Sequence, residues 1–111
     1  MTIQSLTEKI RKKSSFLCVG LDSDKSKLPS SVSQQQEAQF VFNKQIIDAT
    51  HDLAVAYKIN TAFYESDGFE GYQALEKTVQ DLNDKYPDHF TIADAKRGDI
   101  GNTSTQYAKA F

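Results

Sequence analysis

The sequence predicts an α/β fold, in which three strand–helix units form a parallel sheet and a short helix precedes the first strand. Three apolar segments, beginning near Phe16, Ala54 and Phe90, start roughly 36 to 38 residues apart. Helical periodicity fills the intervals between them. The apolar residues of each segment run consecutively, which is typical of parallel strands covered on both faces and joined by helical crossovers.

The N-terminal helix is predicted from Ile3, Leu6 and Ile10, which are spaced for one helical face. A capping box is predicted at residues 5–8, with an earlier start at Thr2 as the alternative. The basic run that follows Ile10 complements the dipole of a helix C-terminus.

The first strand is predicted over residues 16–21 and ends at Asp22. Cys18 has no second cysteine to pair with, so we expect a buried, small hydrophobic residue in a reducing compartment. A loop containing serine and proline follows. Ser33 and Gln36 at its end form a second predicted capping signature.

A helix and then a strand at residues 53–57 are predicted next, and Lys58 and Asn60 lie at the end of that strand. The helix is predicted from apolar residues at helical spacing: Ala38, Phe42, Ile46 and Ala49. After Gly68, a further apolar stripe predicts a helix that ends before Pro87. The members of that stripe are Tyr72, Leu75, Val79 and Leu82.

The third strand, predicted at residues 90–93, runs into the segment D-A-K-R-G-D-I-G-N-T at 94–103. Alternation on an extended chain places Asp94 and Lys96 on the same side. Neighbouring carboxylates favour the ammonium form, so we expect Lys96 to act as a proton donor or cation and not as an amine nucleophile. Asn102 and Thr103 are predicted N-caps of a last helix.

Composition argues against several classes of function. With 111 residues, a net charge of −2 and a pI near 5.6, the chain has no electrostatic footprint for nucleic acid or an acidic membrane. No long apolar stretch suggests a signal peptide or membrane helix, and we expect a cytoplasmic protein. His51 and His89 lack a second ligand at metal spacing, so no metal site is predicted.

Three strand ends, taken together, resemble a known family. They are D-A-K-R-G-D-I-G-N-T at 94–103, Y-K-I-N-T-A-F-Y-E at 57–65 and G-L-D at 20–22. In combination they resemble orotidine 5'-phosphate decarboxylase, in particular the bacterial branch in which the second segment reads Y-K-x-N-x-A-F-F/Y-E. The resemblance covers essentially all 111 residues.

The resemblance implies a (β/α)8 TIM barrel, with residues 1–111 as a partial barrel domain that holds the N-terminal three βα units and lacks the remaining strands. It implies decarboxylation of orotidine 5'-monophosphate to UMP in de novo pyrimidine biosynthesis, by a homodimer and without cofactor or metal. Phosphate-binding loops belong to the later strands of the family. We therefore expect the 111-residue chain alone to be inactive.

Roles for individual side chains also come from the resemblance. The implied catalytic residues are Lys96, Asp94, Lys58 and Asp99, and the implied substrate-binding residues are Asp22, Lys58 and Thr103. In the family, the lysine matching Lys96 protonates the C6 carbanion, and Asp94 would hold that lysine beside the substrate carboxylate. Asp99 and Thr103 would enter the site of the neighbouring subunit, and Gly98 allows the backbone to turn away there.

Each of these side chains has a plainer interpretation. Asp22 could cap the loop after the first strand, and Thr103 could be a helix N-cap. Lys58 and Asn60 could be solvated residues at a strand end. The functional interpretation depends on their joint occurrence at three successive strand ends.

Two other functions stay open. Ketogulonate-phosphate decarboxylases and hexulose-phosphate synthases of the same superfamily use magnesium and typically have a glutamate where Lys58 stands. A cation there opposes that alternative, because it would repel the metal ion. The other alternative is a non-catalytic fragment, such as one piece of a split barrel.

Overall fold

The computed structural model describes residues 1–111. In chain order its elements are α1 (Ile3–Lys13), β1 (Leu17–Gly20), a 3₁₀ turn (Lys25–Lys27), α2 (Ser30–Ser33), α3 (Ala38–Thr50), β2 (Ala54–Asn60), α4 (Ala62–Glu65), α5 (Gly68–Lys85), β3 (Phe90–Asp94) and α6 (Gly101–Ala110). The strands form one sheet in the order β1–β2–β3, and both pairings are parallel. The predicted α/β fold with three parallel strands and an N-terminal helix is confirmed.

The register of the sheet decides which side chains share a face. Lys58 of β2 pairs with Gly20 of β1 and with Ile92 of β3, and Asn60 pairs with Asp94. Residues that pair across parallel strands point to the same side. One face of the sheet therefore carries Lys58 and Asp94 near its carboxyl edge.

The opposite face packs against the helices and forms the core. Tyr57 and Ile59 of β2 are buried there together with Ile47 of α3 and Leu82 of α5. Burying an aliphatic or aromatic side chain of this size stabilises a fold by about 1.5–3 kcal/mol. The core thus holds β2 rigidly beneath the residues at its carboxyl end.

The predicted apolar stripes of α3 and α5 are confirmed in part, and each inner face also contains residues outside the stripe. α3 buries Ala38 of the predicted stripe, whereas Ala49 is exposed. It also buries three residues that lie one position away from the stripe: Gln39, Asn43 and Ile47. Apolar spacing misplaced this face because two of its buried positions are polar and bonded within the core.

In α5 the predicted Leu82 is buried, and Leu75 and Val79 pack against the core, while Tyr72 is 52% exposed. The inner face also contains small residues that were not predicted: Gly71, Ala74 and Thr78. A Cβ at Gly71 would lie 1.8 Å from the Tyr64 carbonyl oxygen. α4, which the sequence did not predict, therefore packs too closely against α5 to admit a larger residue.

Of the two predicted capping boxes, the first is present at its alternative position and the second is absent. The first lies at Thr2, where the Thr2 hydroxyl accepts from the Ser5 N–H at 3.1 Å and the Ser5 hydroxyl accepts from the Thr2 N–H at 2.9 Å. The second prediction was wrong: Ser33 ends α2, and α3 begins after Glu37, which has a left-handed backbone with φ of 59°. The four-residue helix α2 occupies the segment where a loop was predicted.

The prediction that Cys18 is buried was also wrong, because its side chain is exposed. β1 lies at the edge of the sheet, and Cys18 pairs with Ala56 on the face away from the helices. Val19, one residue later, packs against the helical core. No helix combines the length and apolar composition needed to cross a membrane.

Candidate active site

A lysine at the end of β2 lies between two carboxylates. Lys58 Nζ donates a hydrogen bond to Asp22 Oδ2 at 2.6 Å and lies 3.8 Å from Asp94 Oδ2. The bond to Asp22 raises the pKa of Lys58, and the charge of Asp94 adds to the effect. Lys58 is therefore an ammonium at neutral pH, and the stabilisation from its partners is lost only as the pH rises above 10.5, through the raised pKa.

Asp22 connects the ends of the first two strands. Its Oδ1 accepts a hydrogen bond from the Asn60 N–H at 2.8 Å, while Oδ2 receives the Lys58 ammonium. The Leu21 N–H donates to the Lys58 carbonyl at 2.8 Å, which extends the β1–β2 pairing as far as Asp22. Both carboxylate oxygens are thus oriented by β2.

Asp94 and Lys96 form a second ion pair at the end of β3. The hydrogen bond from Lys96 holds the pKa of Asp94 below its ordinary value, and the charges of Lys96 and Lys58 act in the same direction. β3 ends at Asp94, and Lys96 has a left-handed backbone with φ of 47°. The predicted proximity is present, but a turn produces it, not the alternation of an extended chain.

The structure brings four of the predicted site residues together: Asp22, Lys58, Asp94 and Lys96. Asp99 stands apart. Its Oδ1 accepts from the Ile100 N–H at 2.7 Å, and no ion pair joins it to either lysine of the array.

Thr103 lies in the first turn of α6, and the N-cap roles predicted for Asn102 and Thr103 were wrong. α6 starts at Gly101 with Ile100 in the cap position and without a side-chain cap. Asp99 and Ser104 instead form a local link, in which the Asp99 N–H donates to the Ser104 hydroxyl at 3.1 Å. The helix thus begins before Asn102 and Thr103, the two predicted caps.

The two histidines and Lys13 lie away from the array, beside the first residue of β2. Lys13 Nζ donates to the carbonyls of His51 and Ala54, at 2.5 and 2.7 Å, and lies 3.1 Å from His89 Nε2. Burial lowers the pKa of Lys13. No three acidic, histidine or cysteine side chains are grouped to hold a metal ion.

Sequence reasoning missed a buried polar network beneath Asp22. Asn43 Nδ2 donates to the Tyr64 hydroxyl at 2.8 Å and to the Thr78 hydroxyl at 3.0 Å, and Asn43 Oδ1 accepts from the Ser23 hydroxyl at 3.1 Å. The Tyr64 hydroxyl donates to the Leu21 carbonyl. Residues on both sides of Asp22 are thus bonded to the core. Polar side chains at positions 39 and 43, four residues apart in a helical segment, were the available signal.

We expect Asn43→Ala to lower the free energy of unfolding by at least about 1–3 kcal/mol, the cost of leaving a buried polar group unpaired. The variant removes the partner of three hydroxyls, and Asn43 is fully buried. Urea denaturation measures the change. Asn83→Ala, at an exposed position of α5, is the control, and an equal effect of the two substitutions would contradict the prediction.

Comparison with known proteins comes from sequence and from structure. The sequence profile of the orotidine 5'-phosphate decarboxylase / HUMPS family matches residues 15–111 of this chain. The orotidine 5'-phosphate decarboxylase of Flavobacterium johnsoniae is 61% identical over 111 residues, which is 100% of this chain and 41% of that protein. The enzyme of the same name from Parabacteroides distasonis is 60% identical over 111 residues, or 40% of its length.

Solved structures show the same likeness. OMP decarboxylase of Leishmania donovani matches with a TM-score of 0.74 and 35% identity, covering 99% of this chain and 39% of that chain. UMP synthase of the same organism gives a TM-score of 0.76 and 34% identity, covering 99% and 22%. The predicted TIM-barrel fold class, represented here by three βα units, is confirmed. The chain spans about two fifths of the length of the curated relatives it matches.

Proposed function

This chain belongs to the orotidine 5'-phosphate decarboxylase / HUMPS family, and from that premise we propose that the whole protein decarboxylates orotidine 5'-monophosphate to UMP. One observation supports the proposal above all others: Lys58 and Lys96 lie on either side of Asp94, with Asp22 beyond Lys58, at the carboxyl edge of a parallel sheet. That edge is where TIM barrels carry their active sites. Relatives that match the whole of this chain carry the name of this activity.

In the proposed reaction, the bond between C6 of the pyrimidine and its carboxylate breaks, and the electron pair stays on C6 as carbon dioxide leaves. The ammonium of Lys96 stabilises the developing charge and then transfers a proton to C6, after which water reprotonates the amine. Asp94 orients Lys96, and Lys58 orients Asp94. Lys58 and Lys96 both lie beside Asp94 before substrate binds, so little reorganisation is needed during the reaction.

The proposal includes independence from metal and organic cofactors. A magnesium-dependent sugar-phosphate enzyme needs carboxylates that are free to bind the ion. Here the ammonium of Lys58 lies 2.6 Å from Asp22 and 3.8 Å from Asp94. This positive charge beside both carboxylates would repel a magnesium ion and disfavour its binding there.

Turnover of the whole protein tests the proposed function. We expect UMP formation from orotidine 5'-monophosphate at the same rate in EDTA and in magnesium. Ketogulonate 6-phosphate with magnesium is the parallel substrate, and we expect no carbon dioxide from it. Turnover of the sugar phosphate alone, or a requirement for magnesium, would assign the chain to the other branch of the family.

A homodimer with a shared site and a cytoplasmic location are further parts of the proposal. Asp99 makes no ion pair with Lys58 or Lys96 of its own chain, and it lies in an exposed loop after Gly98. Such a loop is able to reach a neighbouring subunit. Thr103, in the turn that follows, would approach the same neighbouring site.

Mixing two inactive variants of the whole protein tests this sharing. We expect Asp99→Ala and Lys96→Ala proteins, each nearly inactive, to regain activity after subunit exchange, because half of the sites in a mixed dimer would hold both residues intact. Activity and native mass spectrometry are measured on the same sample. Mixed dimers without activity above either parent would show that each site is built from one chain.

A further inference from the structure

Arg97, which the proposed reaction leaves without a role, links four parts of the molecule. Its Nη2 forms an ion pair with Glu65 at the end of α4, and its Nη1 donates to the Ala95 carbonyl at 2.6 Å. Its guanidinium carbon lies 5.8 Å from the ring centroid of Tyr107 and 5.6 Å from that of Phe111. Arg97 lies in an exposed segment, but its side chain is only 25% exposed because these contacts cover it.

These contacts flank Lys96, one of three non-glycine residues with a left-handed backbone. A non-glycine residue in the left-handed region is strained and persists only when its surroundings determine it. The carbonyl of Ala95, just before Lys96, is bonded to Arg97 Nη1, and the residue just after Lys96 is Arg97 itself. The Arg97 side chain therefore holds the peptide unit just before Lys96.

Glu65, the carboxylate that pairs with Arg97, lies in α4, which follows β2. Thr61 and Arg97 both donate hydrogen bonds that hold the pKa of Glu65 below its ordinary value, so Glu65 is a carboxylate at neutral pH. The Thr61 N–H also donates to the Asp94 carbonyl at 3.2 Å. The turn after β3 is thus fastened to the turn after β2 at two points.

We propose that Arg97, anchored by Glu65, is a positioning residue that holds Lys96 in its left-handed conformation and so aims the ammonium at the reacting carbon. This inference rests on the proposed function. Arg97 is not placed to contact substrate itself, because its guanidinium is engaged by Glu65, by Ala95 and by the rings of α6 and Phe111. Its effect therefore acts through Lys96.

Steady-state kinetics of the whole protein test the proposal. A misplacement of about 1 Å costs on the order of 10²-fold in rate, so we expect Arg97→Met to lower kcat by roughly that factor while the affinity for UMP, measured by calorimetry, stays unchanged. Arg97→Lys retains the charge but loses the forked contact, and we expect an intermediate kcat. Adding Arg97→Met to Lys96→Ala should lower kcat no further.

Lys77→Met is the matched control, because Lys77 forms an ion pair with Glu37 between the outer helices, far from the array. We expect its kcat to equal that of the unsubstituted protein. A kcat for Arg97→Met within threefold of this control would overturn the proposal. Further loss from Arg97→Met in the Lys96→Ala background would also overturn it, since the effect would then bypass Lys96.

Limited trypsin digestion gives a measurement that does not need activity. Glu65→Gln leaves residues 94–99 unchanged and removes the charge that anchors Arg97. Glu37→Gln, which removes a carboxylate that pairs with Lys77, is the control. Mass spectrometry measures the rate of cleavage after Lys96, and we expect a faster rate in Glu65→Gln than in the control. Equal cleavage would overturn the positioning role. If the unsubstituted protein did not turn over orotidine 5'-monophosphate, the proposed function would fail, while this digestion would still decide whether Arg97 orders the loop.

Discussion

Lys96→Ala should abolish nearly all decarboxylation of orotidine 5'-monophosphate by the whole protein. Losing a positioned proton donor lowers the rate by about 10²–10⁴-fold. Losing the preorganised positive charge beside C6 adds to this loss, because electrostatic stabilisation contributes separately to the transition state. Stopped-time assays of UMP at high enzyme concentration would measure the remaining kcat.

The fold should survive this substitution. The side chain of Lys96 is 70% exposed and contacts Asp94 alone among the charged groups, so we expect the unfolding midpoint to change little. Lys27→Ala, at a surface lysine that is 81% exposed, is the control and should retain full activity. A Lys96→Ala protein with more than a tenth of the unsubstituted turnover would refute the assignment of Lys96 as proton donor.

Lys58→Met should have the second largest effect. Methionine keeps an unbranched apolar stem but leaves the carboxylates of Asp22 and Asp94 without the ammonium between them. We expect kcat on orotidine 5'-monophosphate to fall by about 10²-fold or more, as for removal of a preorganised electrostatic partner. Steady-state kinetics with the whole protein measure kcat and KM separately.

Lys44→Met provides the matched control for this substitution. Lys44 forms an ion pair with Asp48 at 2.5 Å within α3, on the outer layer of the molecule. We expect the control to leave kcat unchanged. If Lys58→Met and Lys44→Met were equally active, the contact of Lys58 with two carboxylates would have no role in catalysis.

The sheet and the array at its carboxyl edge could largely be predicted from the sequence. Consecutive apolar runs mark buried parallel strands, and the carboxyl ends of such strands meet at one edge. Asp22, Lys58 and Asp94 follow those runs directly, and the family resemblance joined them into one array. The segment containing Arg97 was singled out by sequence, but the role of that arginine could not be assigned.

Features that depend on contacts between elements could not be predicted. The inner faces of α3 and α5 contain Asn43, Thr78 and Gly71, residues that apolar periodicity passes over. Their burial depends on hydrogen bonds and on a close approach of α4, which arise only after packing. Cys18 is exposed because β1 is an edge strand, and strand order is not encoded locally.

A crystal structure of the whole protein with bound UMP would test most directly whether this array is the reaction centre. We expect Lys96 Nζ within roughly 3.5 Å of C6, the separation of reacting atoms in a productive complex, with Asp94 on the side from which carbon dioxide leaves. UMP bound away from the carboxyl edge of the sheet, or with Lys96 turned from C6, would contradict the proposed reaction.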